Sequence, residues 1–231
     1  MDSPVKLSIE AALSKTLLCA DLNSTELRRI AHSTREIYAK KGEILFHKGE
    51  PCTGVHLVVS GQLKLALVSS VGKEKIVELL GAGQSYGEDL LLAERPYGVY
   101  GEALSDSLLL HVSRQALLPE IEAIPALARK MLNNAANRTH TLVDDVEAYS
   151  LHSGKQRIVG FLMHELDNEQ ASAADAVLHL PAHKGVIASR LNLTQEHFSR
   201  LLHELQDLGL IVVDGPLIRI PCLDRLRAAF V

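Results

Sequence analysis

Four side chains near the end of the chain, Glu196, Ser199, Arg200 and His203, recur at i, i+3, i+4 and i+7. That spacing puts them on one face of a helix. Their types suit base reading. An arginine fork matches guanine O6 and N7, a glutamate accepts from cytosine N4, and a serine can bond a base or a phosphate. The opposite stripe, Phe198, Leu201, Leu202, Leu205 and Leu208, has the spacing of a core-facing surface. The bland alternative is a solvated face of a bundle helix, and such faces usually carry long Glu/Lys pairs.

The flanking residues supply the elements that must position this face. Val186 onward reads as a short helix, Asn192-Leu193 as a break, and Thr194 as the N-cap of the second helix. Gly209 reads as the residue just past its C-terminus. Leu210 to Val213 and Leu217 to Ile220 read as strands joined by the turn signal Asp214-Gly215. Helix, turn, helix and hairpin make a winged helix-turn-helix, whose second helix enters the DNA major groove by its N-terminal end. Thr194, Gln195, Glu196, His197, Ser199 and Arg200 then face DNA, with Lys184 and Arg190 placed for phosphates.

Composition bounds the rest. The 231 residues suit one large or two modest domains, and 47% apolar content is ample for cores. Trp is absent and aromatics make up 4%, which argues against reading single-stranded RNA by stacking. MDSPVKLSIE is no signal peptide, and no apolar run approaches the roughly 20 residues that span a bilayer. A cytoplasmic protein without a membrane partner is expected. Residues 155–231 carry 8 Lys/Arg against 9 Asp/Glu, a formal −1. So acidic a DNA-binding domain predicts modest non-specific affinity and a shallow salt dependence.

Upstream, residues 7–20 read as an amphipathic helix, and Asn23 to Glu26 as a capping box opening a second helix, Leu27 to His32. Short apolar runs follow: Ile44 to Phe46, Val55 to Val59, Gln62 to Val68, Lys75 to Leu80, Val99 to Ala103 and Leu108 to Val112. Glycines punctuate them, which predicts an antiparallel sandwich or barrel. Pro125 to Ser150 reads as one long helix. Ala128, Ala135, Leu142 and Tyr149 repeat every seven residues, and Leu132, Thr139 and Val146 form a second line. That is a coiled-coil seam and predicts a homodimer. Ser153-Gly154 reads as a hinge and Glu169 to Asp175 as a polar loop.

The carboxy-terminal pattern resembles the DNA-binding domain of the CRP/FNR family of bacterial transcription regulators. Glu196-x-x-Ser199-Arg200 is similar to the FNR and denitrification-regulator branches. The turn signals Lys41-Gly42, Lys48-Gly49-Glu50, Ser60-Gly61, Gly72-Lys73-Glu74, Gly83-Gln84 and Tyr86-Gly87-Glu88 resemble the cyclic-nucleotide-binding β-roll, the sensor domain of that family. The resemblance implies an α+β protein in three parts. These are an effector-sensing β-roll with N-terminal helices (1–120), a dimerisation helix (121–152) and a winged helix-turn-helix (153–231). It further implies a TTGAT-N4-ATCAA-like palindrome, RNA polymerase as a partner, and an effector that reorients the recognition helices.

The effector pocket implied by the resemblance includes Gly87, Glu88, Tyr97, Gly98, Leu142 and Val143. Glu88 would accept from a ribose hydroxyl. The arginine and serine that hold a cyclic phosphate fall at Tyr97 and Gly98, and two hydroxyl residues that contact adenine fall at Leu142 and Val143. Cyclic AMP binding is therefore expected to be weak or absent. The apolar replacements, and the likeness to nitric-oxide-responsive denitrification regulators, make haem a possible cofactor. His140, His111 and Cys19 are its candidate ligands. Cys19, Cys52 and Cys222 are scattered, and no iron–sulfur cluster is expected.

Three alternatives stand beside this reading. One is a cyclic-nucleotide-responsive regulator of the same fold. Another is an effector module that does not bind DNA. The third is a serine hydrolase, because Gly83-Gln84-Ser85-Tyr86-Gly87 matches the nucleophile-elbow pattern, with Asp106 and His111 downstream. The hydrolase needs a parallel sheet with crossover helices, which the run of short strands does not suggest.

Overall fold

The computed structural model describes residues 8–168 and 174–229. The chain divides into two compact units, Met1–His140 and Thr141–Val231. In the first, helices α1 (Ile9–Leu13) and α2 (Ser24–His32) precede eight strands. These are β1 (Thr34–Ala39), β2 (Ile44–Phe46), β3 (Gly54–Ser60), β4 (Leu63–Val68), β5 (Glu74–Leu80), β6 (Ser85–Tyr86), β7 (Tyr100–Ala103) and β8 (Ser107–Ser113). Helix α3 (Glu88–Ala93) interrupts them, and α4 (Arg114–Ala123) and α5 (Pro125–Leu151) follow.

The strands form two antiparallel sheets, ordered β1-β8-β3-β6 and β2-β7-β4-β5. This is the expected β-roll. Strands β3 and β8 are buried on both faces because successive side chains alternate. Val55, Leu57, Leu110 and Val112 pack with Leu13, Ile30, Leu117, Leu127 and Met131 of the helices. Val58 and Leu109 face the roll interior with Phe46, Tyr86 and Tyr97.

The paired residues His56 and His111 share that interior. Their ring centroids lie 4.9 Å apart, edge to face, and His56 Nε2 is 3.1 Å from the Tyr97 hydroxyl. Burial, with His111 and Arg35 nearby, pushes the His56 pKa down to about 3. A histidine kept neutral in the fold but titrating near 6.5 when unfolded leaves stability whole above about pH 6.5. Below that, the unfolded chain gains the proton and stability falls, by about 1.4 kcal/mol per pH unit toward the folded pKa. Thermal melts between pH 6.5 and 4 should show this slope in the wild type. In His56→Gln the slope should be shallower, and an unchanged one would clear His56 of the effect.

The expected capping box at α2 is present: Asn23 accepts from Glu26 N at 3.0 Å, and Glu26 accepts from Asn23 N at 2.8 Å. The helix expected over 7–20 is only the short α1, followed by turns to Asp21. Strand β1 and helix α4, which holds Pro119 in its interior, were not evident in the sequence. The long helix runs Pro125–Leu151, one residue beyond expectation.

The second unit holds the last turns of α5, then α6 (Gly154–Asn168), β9 (Ala174–His179), α7 (Lys184–Arg190) and α8 (Gln195–Asp207). Strands β10 (Val212–Asp214) and β11 (Leu217–Cys222) and helix α9 (Leu223–Ala228) complete it. The hairpin is the expected wing, and β9 pairs with β11 to make a three-stranded antiparallel sheet. Ala174 and Asp175, expected in a loop, open β9, while residues 169–173 of that loop lie outside the described residues. One core gathers Ile158, Leu162, Leu178, Ile187, Phe198, Leu202, Leu205, Ile211 and Ile220.

Candidate DNA-reading helix and sensor cassette

Helix α8 is positioned by its own chemistry. Thr194 Oγ1 accepts from His197 N at 3.2 Å, an N-cap worth about 1 kcal/mol. Asn192, at φ 56°, makes the left-handed turn before it. Phe198, Leu201, Leu202 and Leu205 are buried, so the helix's rotation about its axis is fixed. Gln195, Glu196, Arg200 and His203 are exposed, with Ser199 half-buried beside them. Leu208, expected in the core stripe, is instead the exposed C-cap residue, because the helix ends at Asp207.

Three of the expected residues make contacts that the sequence did not announce. His197 is half-buried, and its Cε1 lies 3.6 Å from where a Cβ on Gly154 would stand. Its ring therefore packs against the start of α6 instead of standing out with Glu196 and Arg200. Gly154, read as part of a hinge, is closely packed: an added Cβ would come within 2.8 Å of Leu201 and 3.2 Å of Leu193. Arg190 is not an open phosphate contact. Its Nη1 donates to Asp145 Oδ1 and Oδ2 at 2.7 and 2.6 Å and to the Tyr149 hydroxyl at 2.8 Å. Burial opposes the charge on Arg190, yet Asp145 outweighs it and holds the guanidinium pKa above its ordinary value.

Tyr149, expected in the seam, is half-buried with its hydroxyl bound to Arg190 in its own chain. Of the other seam residues, Leu132, Thr139, Leu142 and Val146 are exposed, while Ala128 and Ala135 are half-buried. Lys184, half-buried at the first position of α7, and exposed Arg200 are the remaining expected phosphate-side cations.

The sensor cassette is the β6–α3 turn. Gly87 has φ 109°, and a Cβ there would stand 2.9 Å from the Gly54 carbonyl oxygen, so both conformation and space require glycine. Glu88 is 1% exposed. Its Oε1 accepts from the Ser85 hydroxyl and, at 3.2 Å, from Asn134 Nδ2 on α5. Arg138, one turn further along α5, donates Nε to Glu78 at 2.8 Å and Nη2 to the Ser85 carbonyl at 2.9 Å. Its Nη1 lies 3.8 Å from Glu88 and 4.0 Å from Asp89. Burial opposes this charge, but Glu78, Glu88 and Asp89 together raise the Arg138 pKa. Glu88 Oε2, Asp89 Oδ1 and Arg138 Nη1 are buried without a hydrogen-bond partner.

Glu88, the expected ribose acceptor, is thus buried and bonded to Ser85 and Asn134 of its own chain. Tyr97 is 4% exposed and stacks on Phe46 with centroids 4.0 Å apart inside the roll. Gly98, Leu142 and Val143 are exposed.

Sequence reasoning missed Arg138 and Asn134. The signal was present: Leu127, Met131, Asn134 and Arg138 lie at helical spacing, so two polar residues continue a buried stripe.

The hydrolase alternative fails on geometry. Ser85 lies in a buried antiparallel strand bonded to Glu88, His111 Nε2 lies 3.2 Å from Thr53, and Asp106 pairs with Lys40. These three do not form a triad.

Two of the three candidate haem ligands, Cys19 and His111, are engaged by the packing of the fold. Cys19 is fully buried in the apolar cluster, and burial pushes its thiol up to about 11. His111 is packed on His56 and bonded to Thr53. His140 is exposed on α5. Among the described residues no group of three or more His, Cys, Asp or Glu is placed to hold a metal ion. None of their helices is long and apolar enough to cross a membrane.

Comparison with known proteins agrees with this anatomy. Residues 36–123 match the cyclic nucleotide-binding domain, and residues 156–229 match the Crp-like helix-turn-helix domain. The anaerobic regulatory protein of Pasteurella multocida is 24% identical over 91% of this chain and 78% of its own length. The cyclic AMP receptor protein of Thermus thermophilus is 25% identical over 79% and 81%. The structure of FixK2 from Bradyrhizobium japonicum superposes with a TM-score of 0.75 at 24% identity, covering 86% of this chain and 98% of that one.

A β-roll, a long helix and a winged helix-turn-helix in this order define a DNA-binding transcription regulator. With both domains matched and relatives aligned along most of its length, the chain belongs to the CRP/FNR family.

Proposed function

We propose that the chain acts as a homodimer on a TTGAT-N4-ATCAA-like palindrome, each copy reading one half-site. Glu196 and Arg200 read base edges, and Ser199 contacts a base or a phosphate. Gln195, Thr194 and Lys184 hold the helix end to the backbone. The observation that carries this reading is the exposure of Glu196 and Arg200 on the face opposite the buried Phe198, Leu201, Leu202 and Leu205. The Glu196-x-x-Ser199-Arg200 pattern, and a relative named an anaerobic regulatory protein, support a role in anaerobic or denitrification control. RNA polymerase is the partner such a role requires.

The test is a gel-shift titration of purified protein on the palindrome and on a scrambled duplex. A specificity ratio of at least about 10³ is expected, and equal affinities would defeat the proposal. Dimerisation through the exposed Leu132, Leu142 and Val146 is tested by Val146→Glu. A carboxylate in an apolar seam should shift the sedimenting species from dimer to monomer. A variant that stays dimeric would move the interface elsewhere.

The effector is sensed, in this reading, at the cassette and without haem. Tyr97 falls where the family resemblance puts the phosphate-binding arginine, and the Arg138 guanidinium beside the cassette is already bonded to Glu78 and the Ser85 carbonyl. Calorimetric titration with cyclic AMP should give no binding in the low-micromolar range, and a low-micromolar isotherm would restore the cyclic-nucleotide alternative.

A further inference from the structure

The break between α5 and α6, at His152 and Ser153, is bridged by side chains on both sides. Before it, Asp145 and Tyr149 reach Arg190 at the end of α7. The Tyr149 hydroxyl also donates to the Arg190 carbonyl at 2.6 Å. After it, Arg157 of α6 donates Nη1 to the carbonyls of Leu191 and Asn192 at 2.8 and 3.2 Å. These three carbonyls close α7 and form the turn into α8, where a helix end leaves acceptors without intrahelical partners. The turn that sets the direction of the recognition helix is therefore held from α5 and from α6 together. Lys155 of α6 adds a bond to Glu204 of α8 at 2.9 Å.

We propose that Asp145 and Tyr149 are positioning residues for DNA binding: through Arg190 they lock the helix-turn-helix to the end of the long helix across the break. The group acts through geometry and touches no base. A dimer gains on a palindrome only if both reading helices are presented at one spacing, because the second half-site is then bound intramolecularly. A freed helix-turn-helix keeps its own half-site affinity and loses that gain. This inference rests on the DNA-reading proposal above.

The test uses the full chain with Asp145→Asn and Tyr149→Phe, titrated on the full palindrome and on a duplex carrying one half-site. Each variant should bind the palindrome about tenfold more weakly. Its half-site affinity should be unchanged, as should the slope of affinity against salt. Asp145→Asn combined with Arg190→Gln should be no worse than either alone. Equal losses on both duplexes would mean a merely structural role and overturn the proposal. So would a salt slope that falls by about one unit in Arg190→Gln, which marks a phosphate contact. Wild-type protein that ignores the palindrome would defeat the DNA reading instead. For that case amide exchange decides the lock without DNA. Exchange at His152 to Gly154 and at Leu191 to Leu193 should quicken in Asp145→Asn, and unchanged exchange there overturns it.

Discussion

Arg138→Ala is expected to destabilise the sensor unit by about 3 kcal/mol, the lower end of what breaking a buried ion pair costs. The lower end applies because the Arg138 side chain is 17% exposed. Its removal leaves Glu78, Glu88 and Asp89 without the guanidinium that lies among them, and Glu88 is too deeply buried to be rescued by water. The thermal midpoint should fall by roughly 6–12 °C for a chain of this size. Arg138→Ala combined with Glu88→Gln should recover most of the loss, since the stranded charge is then gone. A single variant that melts like the wild type would show that Arg138 does not neutralise the cluster.

Arg200→Ala should weaken binding to the palindrome by about 1–3 kcal/mol and relax discrimination at one base pair per half-site. The side chain is exposed at the second turn of α8, so folding should be untouched. Competition binding against single-base variants of the palindrome measures this. Unchanged preference at every position would remove Arg200 from base reading, whatever happened to total affinity.

The helix-turn-helix was legible because its signals are local. Thr194 caps, Asn192 turns, and four apolar residues repeat at helical spacing. The roll was legible for a similar reason, since glycine turns punctuate short apolar runs. What could not be read were partners far apart in sequence. Arg190 looks like a basic residue at a helix end, and nothing near it announces Asp145, 45 residues upstream. Tyr149 fits a seven-residue repeat, and its hydroxyl is the only hint of another use. Strand β1, Thr-Arg-Glu-Ile-Tyr-Ala, is an edge strand paired only with β8, and its residues show no clean apolar–polar alternation. Helix α4 was hidden by Pro119, which sits in its interior.

The capture of Arg190 by Asp145 has a bearing on how a target is found. A reading domain of formal charge −1, with Arg190 withdrawn into an ion pair, should have little grip on unrelated duplex, whose hold on proteins is almost wholly electrostatic. Such a molecule should travel by brief collisions and hops instead of long slides. If the chain reads DNA as proposed, the genome should then soak up few copies, and promoter occupancy should follow the number of molecules in the cell almost directly.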